Sequence, residues 1–124
     1  MKFNKEEFQI EDKEKKLAYP LKKIRKNRIE VFSLLDVLSE YVGKEDYSLV
    51  CFIDHPIAEV GNPDELAGRA CGDRVAAVNT KQNKFSLCNT VAHELLHTLG
   101  FDHCNDWLCL MNPYMSNEVN YLCP

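Results

Sequence analysis

The segment that most restricts how this chain can fold is HELLHTLGFDHC, residues 93–104. In it two histidines lie four apart, a glutamate follows the first, and a glycine and a third histidine come three and six residues after the second. On an α-helix, residues four apart stack on one face, so His93 and His97 can direct both imidazoles at one ion about 2.0–2.1 Å from each nitrogen. Glu94 is turned about 100° from His93 and can overhang the same cleft without being a ligand. Gly100 is where the helix should end, because glycine accepts the left-handed conformation that other residues resist past a last turn. The chain can then turn and bring His103 back to the ion. Three protein nitrogens leave one position of a tetrahedral zinc open, the arrangement of a catalytic rather than a structural site. Five fixed positions, each matched by chance at about 0.1 or less, reduce accident to about one start point in 100,000.

With 124 residues, 45% of them hydrophobic, the chain suffices for one domain with one core. No apolar run approaches the roughly 20 residues of a membrane span. The first 16 residues are charged throughout where a signal peptide would be apolar. An intracellular protein, cytoplasmic or nuclear and without membrane association, is the expectation. In a reducing compartment the six cysteines read as zinc ligands or small buried hydrophobes rather than disulfides. Cys104, Cys109 and Cys123 cluster after the histidines and read as a metal group; Cys51, Cys71 and Cys88 read mostly as core.

Charge is distributed unevenly. Residues 1–28 hold ten of the fifteen Lys and Arg against five acids, whereas residues 29–124 hold five basic and fourteen acidic residues. The run PLKKIRKNR, residues 20–28, is compatible with a nuclear-targeting or nucleic-acid patch, but such a run is more often a solvated segment leading into a helix. The acidic remainder argues against nucleic acid as a partner.

Ile29, Phe32, Leu35, Leu38 and Val42 recur at helical spacing, which predicts an amphipathic helix over residues 29–42 with Asn27 as its cap and Gly43 as its stop. YSLVCFI, residues 47–53, reads as a buried strand. His55, before a proline, reads as a hydrogen-bonded loop residue rather than a ligand. Residues 57–73, rich in Gly, Pro, Asn and Asp, read as a loop, and residues 74–80 as a short strand. Within the latter, Val75 to Val78 is either the cleft edge on which an extended substrate could pair or an ordinary edge strand. The histidine helix is expected over residues 86–99, with Leu87, Val91, Leu95 and Leu99 as the stripe facing the core. No internal repeat, low-complexity block or glycine-rich phosphate loop is evident.

The extended string HExxHxxGxxH is that of the metzincin zinc peptidases. Its continuation HCNDWLCLM, with Cys104, Cys109 and Met111, resembles the archaemetzincin family, specifically over residues 86–124 and more loosely over residues 20–80. The resemblance implies a metzincin-like α/β domain, a single unit over residues 1–124. It would have a charged segment at 1–28, a subdomain at 29–100 with a small mixed twisted sheet and the active-site helix, and a short cysteine-rich subdomain at 101–124. His93, His97 and His103 would bind a catalytic zinc, Glu94 would be the general base, and Met111 would be the methionine of the turn beneath the metal. Cys104, Cys109 and Cys123 would hold a second, structural zinc. Within the 124 residues no fourth cysteine follows Cys123, and the spacer from Met111 is shorter than is usual in the family. The fourth ligand is expected from water, from Cys88 or from a partner chain. Tyr114, three residues past Met111, is a candidate to stabilise an oxyanion or an ordinary packed aromatic.

What this implies is hydrolysis of a peptide or protein substrate, Glu94 taking a proton from water and passing it to the leaving amine. The alternative is a zinc-stabilised interaction module that no longer cleaves. Substrate preference, aminopeptidase or endopeptidase character and oligomeric state are not encoded in the spacing. A cysteine zinc site should show in the metal content: two zincs per chain by elemental analysis, falling to one in a Cys104→Ser, Cys109→Ser double variant. A content unchanged by the substitutions would remove that site.

Overall fold

Val75, Ala76, Ala77, Val78 and Asn79 are all buried. A strand that is apolar along nearly its whole length belongs where both of its faces are covered. The computed structural model describes residues 1–43, 48–71, 74–82, 84–104 and 110–111. In chain order the described elements are β1 (Lys2–Asn4), β2 (Gln9–Asp12), β3 (Leu17–Pro20), β4 (Lys23–Ile24), β5 (Arg28–Glu30), α1 (Val31–Ser39) and β6 (Leu49–Ile53), then β7 (Ile57–Ala58), β8 (Glu65–Leu66), β9 (Gly68–Cys71), β10 (Val75–Asn79) and α2 (Lys84–Thr98). The buried strand β10 is the middle of a sheet ordered β6-β10-β9. It runs parallel to β6, with Val75 opposite Leu49 and Asn79 opposite Ile53. It runs antiparallel to β9, with Val75 opposite Cys71 and Val78 opposite Gly68. Both helices pack on it. The mixed α/β architecture expected from the sequence is present.

Helix α1 begins later than its periodicity predicts. Ile29 belongs to β5, pairing with Lys23 on one side and, in parallel, with Ile57 on the other. The cap is Glu30, not Asn27: its carboxylate accepts from the backbone N–H of Phe32 at 3.2 Å and of Ser33 at 2.9 Å, satisfying two of the orphan donors of the first turn. Asn27 sits instead in the β4–β5 turn, where Arg25, Lys26 and Asn27 are all left-handed, with φ of 43°, 55° and 75°. The helix stops at Ser39 with Glu40 as its C-cap, short of Gly43. Its face Val31, Leu34, Leu35 and Leu38 meets Ile29, Ile53, Ile57 and Val75 in the core.

The charged segment 1–28 is folded. Strands β1, β2 and β3 form an antiparallel sheet in sequence order. Each of its two hairpin loops opens on an Asx acceptor and closes on a left-handed residue. Asn4 Oδ1 accepts from the N–H of Glu6 and of Glu7, both at 3.0 Å, and Phe8 has φ 53°. Asp12 Oδ1 accepts from Glu14 and Lys15 at 3.0 and 3.2 Å, and Lys16 has φ 55°. These are local turn signals that work in short loops. Phe8 and Ile10 enter the core, while the buried Asp12 takes a 2.6 Å hydrogen bond from the Tyr41 hydroxyl. That bond, with those from the backbone, holds the Asp12 carboxyl below the usual carboxylate range.

The stretch 57–73, expected to be loop, contains β7, β8 and β9. Strands β7 and β8 join β4 and β5 in a third sheet ordered β4-β5-β7-β8. The cleft edge is therefore β9, and β10, which had been a candidate for it, is central. His55 is hydrogen-bonded as expected: its Nε2–H donates to the Asn27 carbonyl at 2.6 Å, with its ring against Phe3 and Phe8. Of the three early cysteines, Cys51 is half-buried beside the core, whereas Cys71, at the end of the edge strand, and Cys88, on the outer side of α2, are exposed. Cys88 is thus not core. No helix among the described residues is long and apolar enough to cross a membrane.

Leu34 is 0% exposed, so Leu34→Ala should leave a cavity at the α1–sheet contact and cost about 2–5 kcal/mol of unfolding free energy. Urea denaturation measures this directly.

Candidate metal centre

Helix α2 spans Lys84–Thr98 and ends as its sequence dictates. The Gly100 N–H donates to the His97 carbonyl at 3.0 Å and the Phe101 N–H to the Leu96 carbonyl at 3.0 Å, while Gly100 is left-handed at φ 96°. This pair of bonds is the Schellman arrangement, and it reverses the chain within one turn. His103 is thereby returned to the helix face that carries His93 and His97. The ligand nitrogens of the three lie within 4.8 Å of one another, and the ring centroids of His97 and His103 are 4.7 Å apart.

Two of the rings are oriented by backbone carbonyls. His93 Nδ1 is 2.7 Å from the Leu110 carbonyl and His97 Nδ1 is 2.8 Å from the Phe101 carbonyl. A carbonyl can only accept, so each Nδ1 carries the proton and each Nε2 presents a bare lone pair. Those two Nε2 atoms face each other at 3.0 Å, close to the roughly 3.3 Å edge of a tetrahedron of nitrogens about an ion at 2.0–2.1 Å. Burial lowers the pKa of His93, and likewise that of His103, which keeps both neutral and able to bind metal. The donor set therefore fits zinc: three imidazoles whose ligand nitrogens converge within 4.8 Å, two of them held in place by backbone carbonyls.

Glu94 is 6% exposed. Its Oε1 lies 4.0 Å from His93 Nε2, and its buried Oε2 has no hydrogen-bond partner among the described residues. A carboxylate oxygen left bare in this way suits a group that receives its partner from the cleft. Burial pushes the carboxyl up to about 7, with Arg69 opposing.

The wall opposite α2 is β9 and the β7–β8 loop. Gly68 explains how β9 comes so near. A Cβ there would stand 2.8 Å from Thr90 Cγ2, 2.9 Å from Glu94 Cγ and 3.2 Å from the Ala77 carbonyl oxygen. Strand and helix thus touch at the residue beside His93. The cleft between them has a volume of about 650 Å³ and is lined by His93, Glu94, His97 and His103 on one side and by Gly68, Arg69, Glu59 and Asp64 on the other. Arg69 reaches Glu59 at 3.5 Å. Neither Gly68 nor Arg69 is evident from the sequence pattern, although an isolated glycine in a strand is a known sign of close backbone approach.

The turn at 110–111 closes the site from beneath His93. Met111 is 1% exposed, and its carbonyl accepts from the Cys104 N–H at 2.9 Å. Cys104 is half-buried there. Cys109, Cys123 and Tyr114 lie outside the described residues. The stripe expected to face the core is only partly covered: Leu87 and Val91 are half-buried, but Leu95 and Leu99 are 38% and 55% exposed, while Thr90, His93, Glu94 and Thr98 are buried. The inner face of α2 is polar because it belongs to the cleft.

The sequence profile of a peptidase family described as matrixin matches residues 2–122. No curated protein sequence matches. Among solved structures, the archaemetzincin of Methanopyrus kandleri is similar with a TM-score of 0.62 and 24% identity, covering 77% of this chain and 60% of that one. A zinc-dependent peptidase from Methanocorpusculum labreanum is similar with a TM-score of 0.66 and 20% identity, covering 85% of this chain and 76% of that one. The chain thus spans about three fifths of the archaemetzincin's length. The resemblance read from the histidine and cysteine spacing is borne out in fold.

Because the folded pKa of Glu94, about 7, lies above its ordinary 4.5, the stability it contributes is fully present below the unfolded value and is lost as pH rises through the folded one. In protein stripped of metal by a chelator, unfolding free energy should decline from about pH 4.5 upward, by as much as about 3 kcal/mol once pH 7 is passed. Urea titrations across that range should show the decline in the native sequence and not in Glu94→Gln.

Proposed function

The chain belongs to the matrixin peptidase family, and we propose that it is a zinc metallopeptidase in which Glu94 is the general base. The observation that carries this reading is the buried, unpartnered Glu94 Oε2 beside three converging imidazoles. His93, His97 and His103 would hold the zinc. Bound there, the ion would supply a Lewis acid that polarises the scissile carbonyl and makes a water molecule more acidic.

The remaining steps fall to the chain's own residues. Glu94 takes the proton of the attacking water and returns it to the amide nitrogen as the C–N bond breaks. Burial raises the carboxyl's pKa above the ordinary carboxylate value, which strengthens it as a base. The carbonyls of Leu110 and Phe101 hold the imidazoles so that the nitrogens stay aimed throughout. Met111, packed next to Leu110, is the floor of that arrangement. The outer edge of β9, with no further strand beside it among the described residues, offers backbone groups to an extended peptide, which would lie in the cleft as an added strand. Cys104 with Cys109 and Cys123 would form the second, structural zinc site.

A zinc-stabilised module without activity would have no use for Glu94: burying a carboxylate beside three histidines costs free energy that only a reaction justifies. Glu94→Gln should retain full zinc by elemental analysis while kcat on a peptide substrate falls by at least about 100-fold. Native turnover in that variant would refute the base. His97→Ala should purify with most of its zinc gone.

A further inference from the structure

The basic run at residues 20–28 finds a use in the cleft. Arg25 donates through its guanidinium to the Asn62 carbonyl at 2.8 Å, and Arg28 to the Pro63 carbonyl at 3.3 Å. Arg28 also pairs through Nε with Glu65 at 3.3 Å. Asn62 and Glu65 line the cleft. Asn62 and Pro63 belong to the loop of residues 59–64, the β7–β8 connection, which Glu65 follows as the first residue of β8, and the loop is well ordered internally. Asn62 N–H donates to the Glu59 carbonyl at 3.1 Å across a turn in which Gly61 has φ 88°, a type II geometry that needs a positive φ at its third residue. Asp64 N–H donates to Asn62 Oδ1 at 3.0 Å.

Nothing internal to this loop fixes where it stands relative to α2. The contacts that do so come from outside. On the cleft side Arg69 holds Glu59 at 3.5 Å. On the far side two guanidiniums from the β4–β5 turn grip two consecutive backbone carbonyls. Arg25 itself is left-handed, as are Lys26 and Asn27. A run of three such residues, none of them glycine, costs free energy, and the turn places Arg25 and Arg28 against one loop.

We propose that the β4–β5 turn is a brace for the substrate cleft, and that Arg25 and Arg28 are positioning residues which hold loop 59–64 as the wall facing the metal centre. The site they serve is the peptidase cleft, so the functional part of the inference rests on that reading. Since neither arginine touches the histidines or Glu94, the brace acts on substrate binding rather than on the chemical step.

The test compares two double variants that remove the same charge from the same run. Arg25→Ala, Arg28→Ala cuts the brace; Lys22→Ala, Lys26→Ala leaves those contacts alone. In the arginine variant KM for a peptide should rise about tenfold, as the loss of charge-assisted hydrogen bonds implies, with kcat and zinc content unchanged. Hydrogen exchange of the backbone amides in 59–65 should quicken by a similar factor. The lysine variant should match the native protein in all four. Unaltered exchange in 59–65 after the arginine substitutions overturns the brace, and so does an equal KM rise in the lysine variant, which would make net charge the cause. If the native zinc protein cleaves no peptide, the peptidase reading fails, while the exchange of 59–65 still decides whether the arginines hold the loop.

Discussion

His93 can present its Nε2 only because the carbonyl of Leu110, 17 residues further on, accepts the hydrogen bond from Nδ1–H. That single bond joins the helix to the turn at 110–111 and fixes both ring tilt and tautomer. The rest of the site is arranged around it. The Phe101 carbonyl does the same for His97, and it can do so because Gly100 reverses the chain there. Cys104 N–H closes the circuit by bonding to Met111. A metal centre assembled in this way is a circuit of backbone contacts in which two of the three imidazoles are aimed by a carbonyl from a later segment.

What was legible in the sequence is what the chain settles locally. The i, i+4 histidines, the glutamate between them and the glycine that ends the helix all act within one or two turns, and all are where the spacing put them. Residues 74–80 were likewise legible as a short strand, although its central, buried place in the sheet was not. The failures have a common physical origin in tertiary context. Periodicity assigned Leu95 and Leu99 to the core, but α2 turns Thr90, Glu94 and His93 inward because its inner face is half cleft. Ile29 fits a helical stripe and is nonetheless held in β5 by Ile57, so the cap passes to Glu30. The run rich in Gly, Pro and Asp at 57–73 hides three strands of two to four residues, each too short to show alternation; β7 depends on β5, distant in sequence, and β8 and β9 are paired in turn to β7 and β10.

The amino-terminal charges illustrate the same point. Lys15 lies over the Tyr41 ring at 4.6 Å and Lys23 over Phe8 at 4.8 Å, while Arg25 and Arg28 are spent on backbone carbonyls. A stretch that reads as a solvated or polyanion-seeking segment directs much of its charge inward, toward aromatic faces and loop carbonyls of its own fold. Net charge alone could not reveal this, because it says nothing about which acceptors the fold brings within reach.

The tight seam at Gly68 has a consequence for how such a cleft can diversify. With Thr90, Glu94 and the Ala77 carbonyl all within van der Waals distance of its missing side chain, β9 cannot thicken toward the helix without shifting the carboxylate. Its backbone is therefore a fixed ruler, and the gap between the strand and the histidines is the same whatever is to be accommodated. Variation in what the cleft accepts is left to the far wall, where residues 59–64 can change length and side chains while the ruler stays put. A lineage of such proteins would be expected to keep its reach to the metal constant and to alter the breadth of the trough beside it.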